Sequence, residues 1–533
     1  MDCTATKIPY SETGYFSHVV TDYLKGADAL RDAYKFYPDV KGIESQIQSR
    51  LSYQINRKAL VEGLKEQYQN IETSQATKEN IELLADTNTF TITTAHQPNI
   101  FTGPLYFIYK ILHAIKLAVH CMELFPQYRF VPVFFMGSED ADLDELGHIY
   151  LNNEKLEWET AQTGAVGRMK VDKQLLQLIS RIESEVGVLP HADEIIGLVK
   201  KYYTEDTEIQ IATLGFVNEL FKEYGLVILV PDSHIMKSIA IDLFKEELLS
   251  QSSEKPVETT GQMLTDRGYN TQAFSREINL FYLNENGRNR IVKEDEVWKV
   301  IHTEIVYTKD EILKLVEANP ELFSPNVILR GVFQEMLLPN VSFIGGGGEL
   351  AYWLQLKGLF DYLNIPYPIL VLRNSFLFID KKNSLLFEKL GLIMQDVLLT
   401  TRQLQDKWVK KNTGNKVEAK AEREAIRGIY DSLIKKSVDI DITLQNHIEA
   451  LKIQALKKLV ELEKKMLRAE KRNHKEAMSQ IERLKDKLFP FGNLQERMDN
   501  MVIFYAKYGK EFIEACYQYS MTLEQELVVL NED

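Results

Sequence analysis

Ser342-Phe343-Ile344-Gly345-Gly346-Gly347-Gly348-Glu349-Leu350-Ala351-Tyr352-Trp353 is the stretch on which the fold turns. Residues 341–344 are an apolar run suited to a buried strand. Four glycines follow at once, and a helical pattern opens at Glu349 and continues to about residue 363. A strand, a glycine turn and a helix in that order can cradle an anion. Glycine lets the backbone approach a ligand closely, and the free N–H groups of a first helical turn point at it. The same order also serves a tight turn that only packs helix on sheet. The glycines match neither GxGxxG nor a Walker A loop, which excludes a standard dinucleotide or P-loop reading.

Working outward, residues 89–95 alternate β-branched side chains and read as a strand, and 105–124 place apolar residues at helical spacing. Residues 130–136, 226–230 and 369–372 are nearly continuous apolar runs, as expected of strands buried on both faces of a parallel sheet. Strands alternating with helices predict an α/β doubly wound, Rossmann-like core. It is expected over residues 85–384, after an N-terminal helical segment at 1–84. Two stretches, about 150–215 and 240–325, look like insertions. The second holds a strand-like 278–283, a hairpin turn at 284–287 and the apolar pair Ile291-Val292.

Beyond residue 385 the character changes, and 385–533 reads as a C-terminal α-helical coiled-coil domain. Leu444, Ile448, Leu451, Ala455, Leu459, Leu462, Met466 and Ala469 recur at spacings of three and four amid Lys and Glu. This seam is expected to continue to Leu488, before Pro490 and Gly492 stop it. It can pair between chains, making a homodimer, or fold against residues 421–436 as a hairpin within one chain.

The 533 residues suffice for two to four domains. A net charge of −14 argues against a general nucleic-acid or anionic-membrane binder, yet allows a small anion in a local pocket. Cys3, Cys121 and Cys516 show no CxxC spacing, so a reducing compartment is expected. Without an apolar leader or a membrane-length run, the expected location is cytoplasmic. HExxH and GxSxG are absent, and His113 and His120 lie two helical turns apart, so no metal centre is expected.

Three polar loops follow predicted strands and converge where open α/β sheets bind ligands. The first offers His96 as phosphate donor or general acid, with Gln97, Asn99 and Thr102 as neutral hydrogen-bonding groups. Gly103 precedes a helix start. The second packs Glu139, Asp140, Asp142, Asp144 and Glu145 into seven residues. Such a cluster holds an ammonium group, binds sugar hydroxyls, supplies a base or helps retain Mg2+. It also resembles an ordinary acidic helix N-terminus, most clearly at Asp142. The third is Gly345, Gly346, Gly347 and Gly348, with Glu349 and Tyr352 beside them. Arg330 and Gln334 lie upstream, and Arg373 and Ser375 follow the last core strand.

FTGPLYFIYK at 101–110, GSEDADLDE at 137–145, RGVFQEMLLPN at 330–340, GGGGELAYW at 345–353, PYPILVLRNS at 366–375 and FPFGNLQER at 489–497 together resemble the cysteine-adding enzymes of bacillithiol biosynthesis, the BshC family. The chain departs at Ala95-His96-Gln97, where many members carry Gly-Gln-Gln or Gly-His-Gln. The resemblance implies a Rossmann-like core with two connecting-peptide insertions and a coiled coil used in dimerisation. It implies a ligase joining L-cysteine, through its amino group, to glucosaminyl-malate in the last step of the pathway. ATP is the expected cosubstrate, with Mg2+ accompanying it, and no tightly bound cofactor. His96, Glu139 and Asp140 are the catalytic candidates, and the other residues named above for the three loops and after the last core strand, Asp144 and Glu145 excepted, are expected to bind substrate or nucleotide. The competing readings are a class I synthetase-like nucleotidylyltransferase acting on another acid, or a coiled-coil interaction protein without catalysis.

Overall fold

The computed structural model describes residues 1–285, 287–413, 417–438 and 440–533. It divides into two units, Met1–Leu377 with Leu494–Val528, and Phe378–Asn493 with Val529–Asp533.

The first unit is built on five strands: β1 (Thr89–His96), β2 (Arg129–Met136), β3 (Val227–Leu229), β4 (Asn340–Gly345) and β5 (Ile369–Leu372). They lie in the order β5–β4–β1–β2–β3, each parallel to its neighbours. Every residue of β2 after Arg129 is buried, as are all of β4 and β5, because helices cover both faces. Register is set across β1, where Thr94 lies opposite Ile344 on one side and His96 opposite Met136 on the other.

The strand order reverses between β1 and β4. Strands β1 to β3 step one way and β4 to β5 the other, which opens a crevice at the carboxyl ends of β1 and β4. Three helices border it: α1 (Tyr106–Leu124), α2 (Val327–Leu337) and α3 (Gly347–Tyr362). Helix α1 is apolar nearly all round. Its Ala114, Leu117 and Ala118 pack with Phe90, Ile92, Phe130, Val341, Ile344, Ile369 and Val371 into one core, where each large side chain contributes about 1.5–3 kcal/mol.

The first insertion carries a hairpin of His148–Leu151 and Glu154–Glu157, then helices Lys173–Val186, Ala192–Tyr202 and Ile209–Phe221. The second carries a five-stranded antiparallel meander in which Gly287–Glu294 pairs with Leu280–Asn284. Asn284 and Gly287 face each other at the end of this ladder; Asn286, within the expected turn, lies outside the described residues.

Residues 494–528, grouped by sequence with the C-terminal helices, pack within the first unit. Glu496 pairs with Arg373 at 2.7 Å, and Asn500 donates to the carbonyls of Phe101 and Gly103 at 2.9 and 2.6 Å.

In the second unit, α4 (Lys420–Val438) and α5 (Leu444–Asn473) fold back on each other. Arg423 reaches Glu463 at 3.1 Å, and Asp431 reaches Lys452 at 2.7 Å. The falling partner numbers make the pair antiparallel. The seam expected to run unbroken to Leu488 is interrupted at His474 (φ −111°, ψ 41°) and resumes as α6 (Lys475–Leu488). Among the described residues, no helix is long and apolar enough to cross a membrane.

His113 on α1 ties this helix to the chain's far end. Its Nδ1 accepts from the Asn374 N–H at 3.1 Å, so Nε2 carries the proton and donates to the Thr522 carbonyl at 2.7 Å. A second ring proton would oppose a backbone N–H. Burial, against a smaller pull from the Thr522 carbonyl, lowers the ring to about 4 from its ordinary 6.5. A depressed folded value means that the neutral ring's contribution is complete above pH 6.5 and is lost as pH falls toward 4. The size is about 3 kcal/mol. Urea midpoints are expected to fall between pH 7.5 and 4.5, and His113→Gln should flatten part of that fall. Parallel curves for the two proteins would rule His113 out as the cause.

Candidate functional site

The crevice between β1 and β4 is lined by Ala95, His96, Gln97, Gly137, Arg330, Gln334, Glu349 and Tyr352, over a floor of Phe135, Phe343 and Trp353. It thus gathers residues from all three polar loops.

His96 ends β1, its ring edge-on to Tyr106 at 5.3 Å and near Phe107 at 5.5 Å. Its Nε2 is sealed from solvent and has no hydrogen-bond partner. Burial first, then the charges of Lys110, Arg330 and Arg373, hold the ring well below its ordinary 6.5. His96 is therefore a neutral imidazole near pH 7. It can exchange a proton or hydrogen-bond, but it is no cationic phosphate donor.

Arg330 rises from α2. A Cβ at Gly137 would lie 3.2 Å from its Nη1, so the absence of a side chain at Gly137 gives the guanidinium its place. It stands 3.9 Å from Asp140, which also receives the Gln97 amide at 3.3 Å. Burial and the nearby Glu349 push the Tyr352 phenol to about 12, so Tyr352 stays a neutral donor. Gln334 is buried and donates to Glu335 at 2.9 Å.

At the glycine turn, Gly346 is the N-cap of α3, and its N–H is taken by the Glu349 carboxylate at 2.8 Å. None of the four glycines has a positive φ. Their value lies in space. A Cβ at Gly345 would come within 2.8 Å of the Phe343 ring, whereas one at Gly348 would meet nothing.

The adjacent carboxylates of the acidic loop have parted. Asp140 is partly exposed and meets Gln97 and Arg330, which line the crevice. Glu139 is buried on the loop's other side against the ammonium of Lys237, which also donates to the Phe323 carbonyl at 2.8 Å. Burial raises the Glu139 carboxyl and Lys237 opposes the rise. An ion pair so enclosed leaves Glu139 no reach into the crevice, contrary to its place among the catalytic candidates. Asp142 caps the short helix Leu143–Leu146 through the Glu145 N–H at 3.0 Å and does not line the crevice.

The structure also keeps Asn99, Thr102 and Gly103 out. Positive φ at Phe101, Thr102 and Gly103 turns the chain under residues 499–500, where Asn500 occupies its carbonyls and Leu105 donates to the Asp499 carbonyl at 2.8 Å. The N-terminus of α1 is thereby covered. Arg373 and Ser375 lie beneath the glycine turn rather than in the crevice. Arg373 pairs with Glu496, hydrogen-bonds Ser375 at 3.2 Å and lies over the Tyr106 ring at 4.8 Å.

Two cations were missed in the sequence. Arg288 comes from the second insertion, with its charge near Glu139 and Asp140; nothing local marks it. Lys110 sits 1% exposed within α1, donating to the Ala95 carbonyl at 2.6 Å and pairing with Glu349 at 2.5 Å. One lysine inside an apolar helix facing a polar loop was a usable signal. Among the described residues, no cluster of three His, Cys, Asp or Glu is placed to hold a metal ion.

Residues 1–374 match the family model described as "Bacillithiol biosynthesis BshC, N-terminal Rossmann-like domain". Residues 376–532 match "Bacillithiol biosynthesis BshC, C-terminal coiled-coil domain". A protein of Flavobacterium psychrophilum is 40% identical over 509 residues, covering 95% of each chain. One of Flavobacterium johnsoniae is 38% identical, covering 98% of this chain and 99% of its own. One of Christiangramia forsetii is 36% identical, covering 98% of both. Each of the three carries the name "Putative cysteine ligase BshC".

Proposed function

Since this chain belongs to the BshC family of bacillithiol biosynthesis, we propose that it is the ligase that joins L-cysteine to glucosaminyl-malate through an amide bond. The observation that carries this reading is the crevice at the strand-order reversal, which sets a neutral His96 against Arg330 and the start of α3.

A carboxylate does not yield to an amine until its oxygen becomes part of a leaving group, and ATP is the proposed source. The malyl carboxylate attacks a phosphorus of ATP, giving an acyl phosphate with ADP or an acyl adenylate with pyrophosphate. The cysteine amine then adds to the acyl carbon, and phosphate or AMP departs with the bonding electrons. Arg330 offers a fixed guanidinium to the carboxylate or phosphoryl oxygens, and the backbone N–H groups opening α3 supply further donors. Tyr352 donates as a neutral phenol. The cysteine ammonium must lose one proton before it attacks and a second once the C–N bond forms; Asp140 is the proposed first acceptor, with solvent taking the other, and His96 serves as a neutral imidazole beside the site. Mg2+ would enter with the nucleotide, and Asp140, beside the crevice-lining Gln97 and Arg330, would offer it a carboxylate. Cys3, Cys121 and Cys516 are buried and form no disulfide among the described residues, which suits a reducing cytoplasm.

Mass spectrometry of purified protein with glucosaminyl-malate, cysteine and Mg·ATP should show the cysteine adduct, and no adduct without ATP. Product in both tubes would discard the ATP step, and product in neither would discard the ligase reading.

The two neighbouring carboxylates should separate cleanly. Asp140→Asn is expected to lower product formation by about 100-fold or more, with the thermal midpoint nearly unchanged. Glu139→Gln leaves the buried Lys237 only Asp232, at 3.7 Å and already paired with Arg168, and should destabilise by about 3 kcal/mol. Full activity in Asp140→Asn removes it from the mechanism.

The second unit is proposed to pair two chains. Ile429, Leu433, Leu451, Ile453 and Leu462 stay exposed on the α4–α5 hairpin, more apolar surface than a solvated hairpin needs. Sedimentation equilibrium should give a dimer that Ile429→Glu/Leu433→Glu weakens; a wild-type monomer ends the idea.

A further inference from the structure

Lys110 has no part in the chemistry above, yet its position is costly. It is buried on α1 between Tyr109 and Ile111, where an aliphatic side chain would pack without desolvating a charge. The ammonium is compensated by two contacts on opposite walls of the crevice. One is the carbonyl of Ala95, at 2.6 Å, the residue before His96 on β1. The other is the Glu349 carboxylate, at 2.5 Å, which accepts the Gly346 N–H at 2.8 Å. Both bonds to Glu349 fall on the same oxygen, Oε2. A continuous polar link therefore runs from the end of β1 through Lys110 and Glu349 to the Gly346 amide at the N-cap of α3.

The link crosses the gap where the sheet gives least restraint. Strands β1 and β4 pair through Thr94 and Ile344, and beyond that register their chains diverge. Past the last backbone pairing, the spacing of His96 from the α3 N-terminus depends on side chains. The Thr94 hydroxyl donates to the Ile344 carbonyl at 2.8 Å where the pairing ends, and beyond it Lys110 touches both walls.

We propose that Lys110 is a positioning residue for the ligase reaction, fixing the distance between the His96 end of β1 and the glycine turn that opens α3. The role rests on the ligase reading. The donors on the two walls serve one reacting carboxylate only if they are held at one spacing, and misplacement by about 1 Å costs about 100-fold in rate.

The test compares wild type, Lys110→Met and Lys110→Met/Glu349→Gln. Losing Lys110 alone takes from the partly exposed Glu349 carboxylate its cationic partner and leaves it the Gly346 N–H, so the single variant should lose about 3 °C in thermal midpoint, whereas the double variant, with both charges gone, should recover most of it. Turnover separates position from stability. In the double variant kcat should stay down by about 100-fold while KM for cysteine moves by less than about threefold, because the loss falls on the reacting geometry rather than on binding. A double variant that regains both midpoint and turnover would make Lys110 a stabilising ion pair and overturn the proposal, with the ligase reading intact. Undiminished turnover in Lys110→Met would do the same. A wild-type protein that forms no product would remove the ligase reading, and the positional role with it.

Discussion

The parallel pairing of β1 with β4 is the constraint on which the rest depends. These strands are far apart in sequence and are brought together by the reversal of strand order. Their connections depart in opposite directions along the sheet, so neither helix covers the gap above their carboxyl ends. Everything functional follows from what each strand delivers there. β1 delivers His96 and Gln97, and β4 delivers the glycine turn and Glu349. Helix α2, leading into β4, adds Arg330 and Gln334. Changing which strands are neighbours would scatter these side chains among separate loops.

The electrostatics of the crevice are those of a filled lattice of charges rather than of a bare basic patch. Lys110 is balanced by Glu349, Arg330 stands near Asp140, and Arg373 is balanced by Glu496. A chain with net charge −14 thus places three cations around the site, each beside a carboxylate. His96 registers the balance, since its neutrality follows from burial and from three cations nearby.

Periodicity and composition made the sheet, the helices and the glycine turn legible, because buried parallel strands are continuous apolar runs and α1 repeats at helical spacing. The strand-end rule also brought His96, Gln97, Asp140, Arg330, Glu349 and Tyr352 to one place. What could not be read is which way a polar side chain turns. Glu139 and Asp140 are adjacent and chemically alike, yet the backbone sends one to Lys237 and the other to the crevice. Thr102 and Gly103 looked like an open helix entry because residues 499–500, which cover them, lie some 400 positions away. Pairings at that separation leave no trace in local pattern. His474 interrupts the seam without glycine or proline to announce it.

Residues 494–528 return to the first unit after the whole helical hairpin has intervened. Glu496, Asn500 and Thr522 then meet Arg373, the carbonyls of Phe101 and Gly103, and His113. During synthesis the chain emerges from its N-terminus, so the sheet and α1 are available long before these partners exist. Until residues 494–528 leave the ribosome, Arg373 lacks its Glu496 partner and the turn at Phe101–Gly103 is uncovered. The order of translation thereby makes synthesis through residue 528 a condition for a finished site, and a nascent chain that stops short of it carries the glycine turn without the brace beneath it.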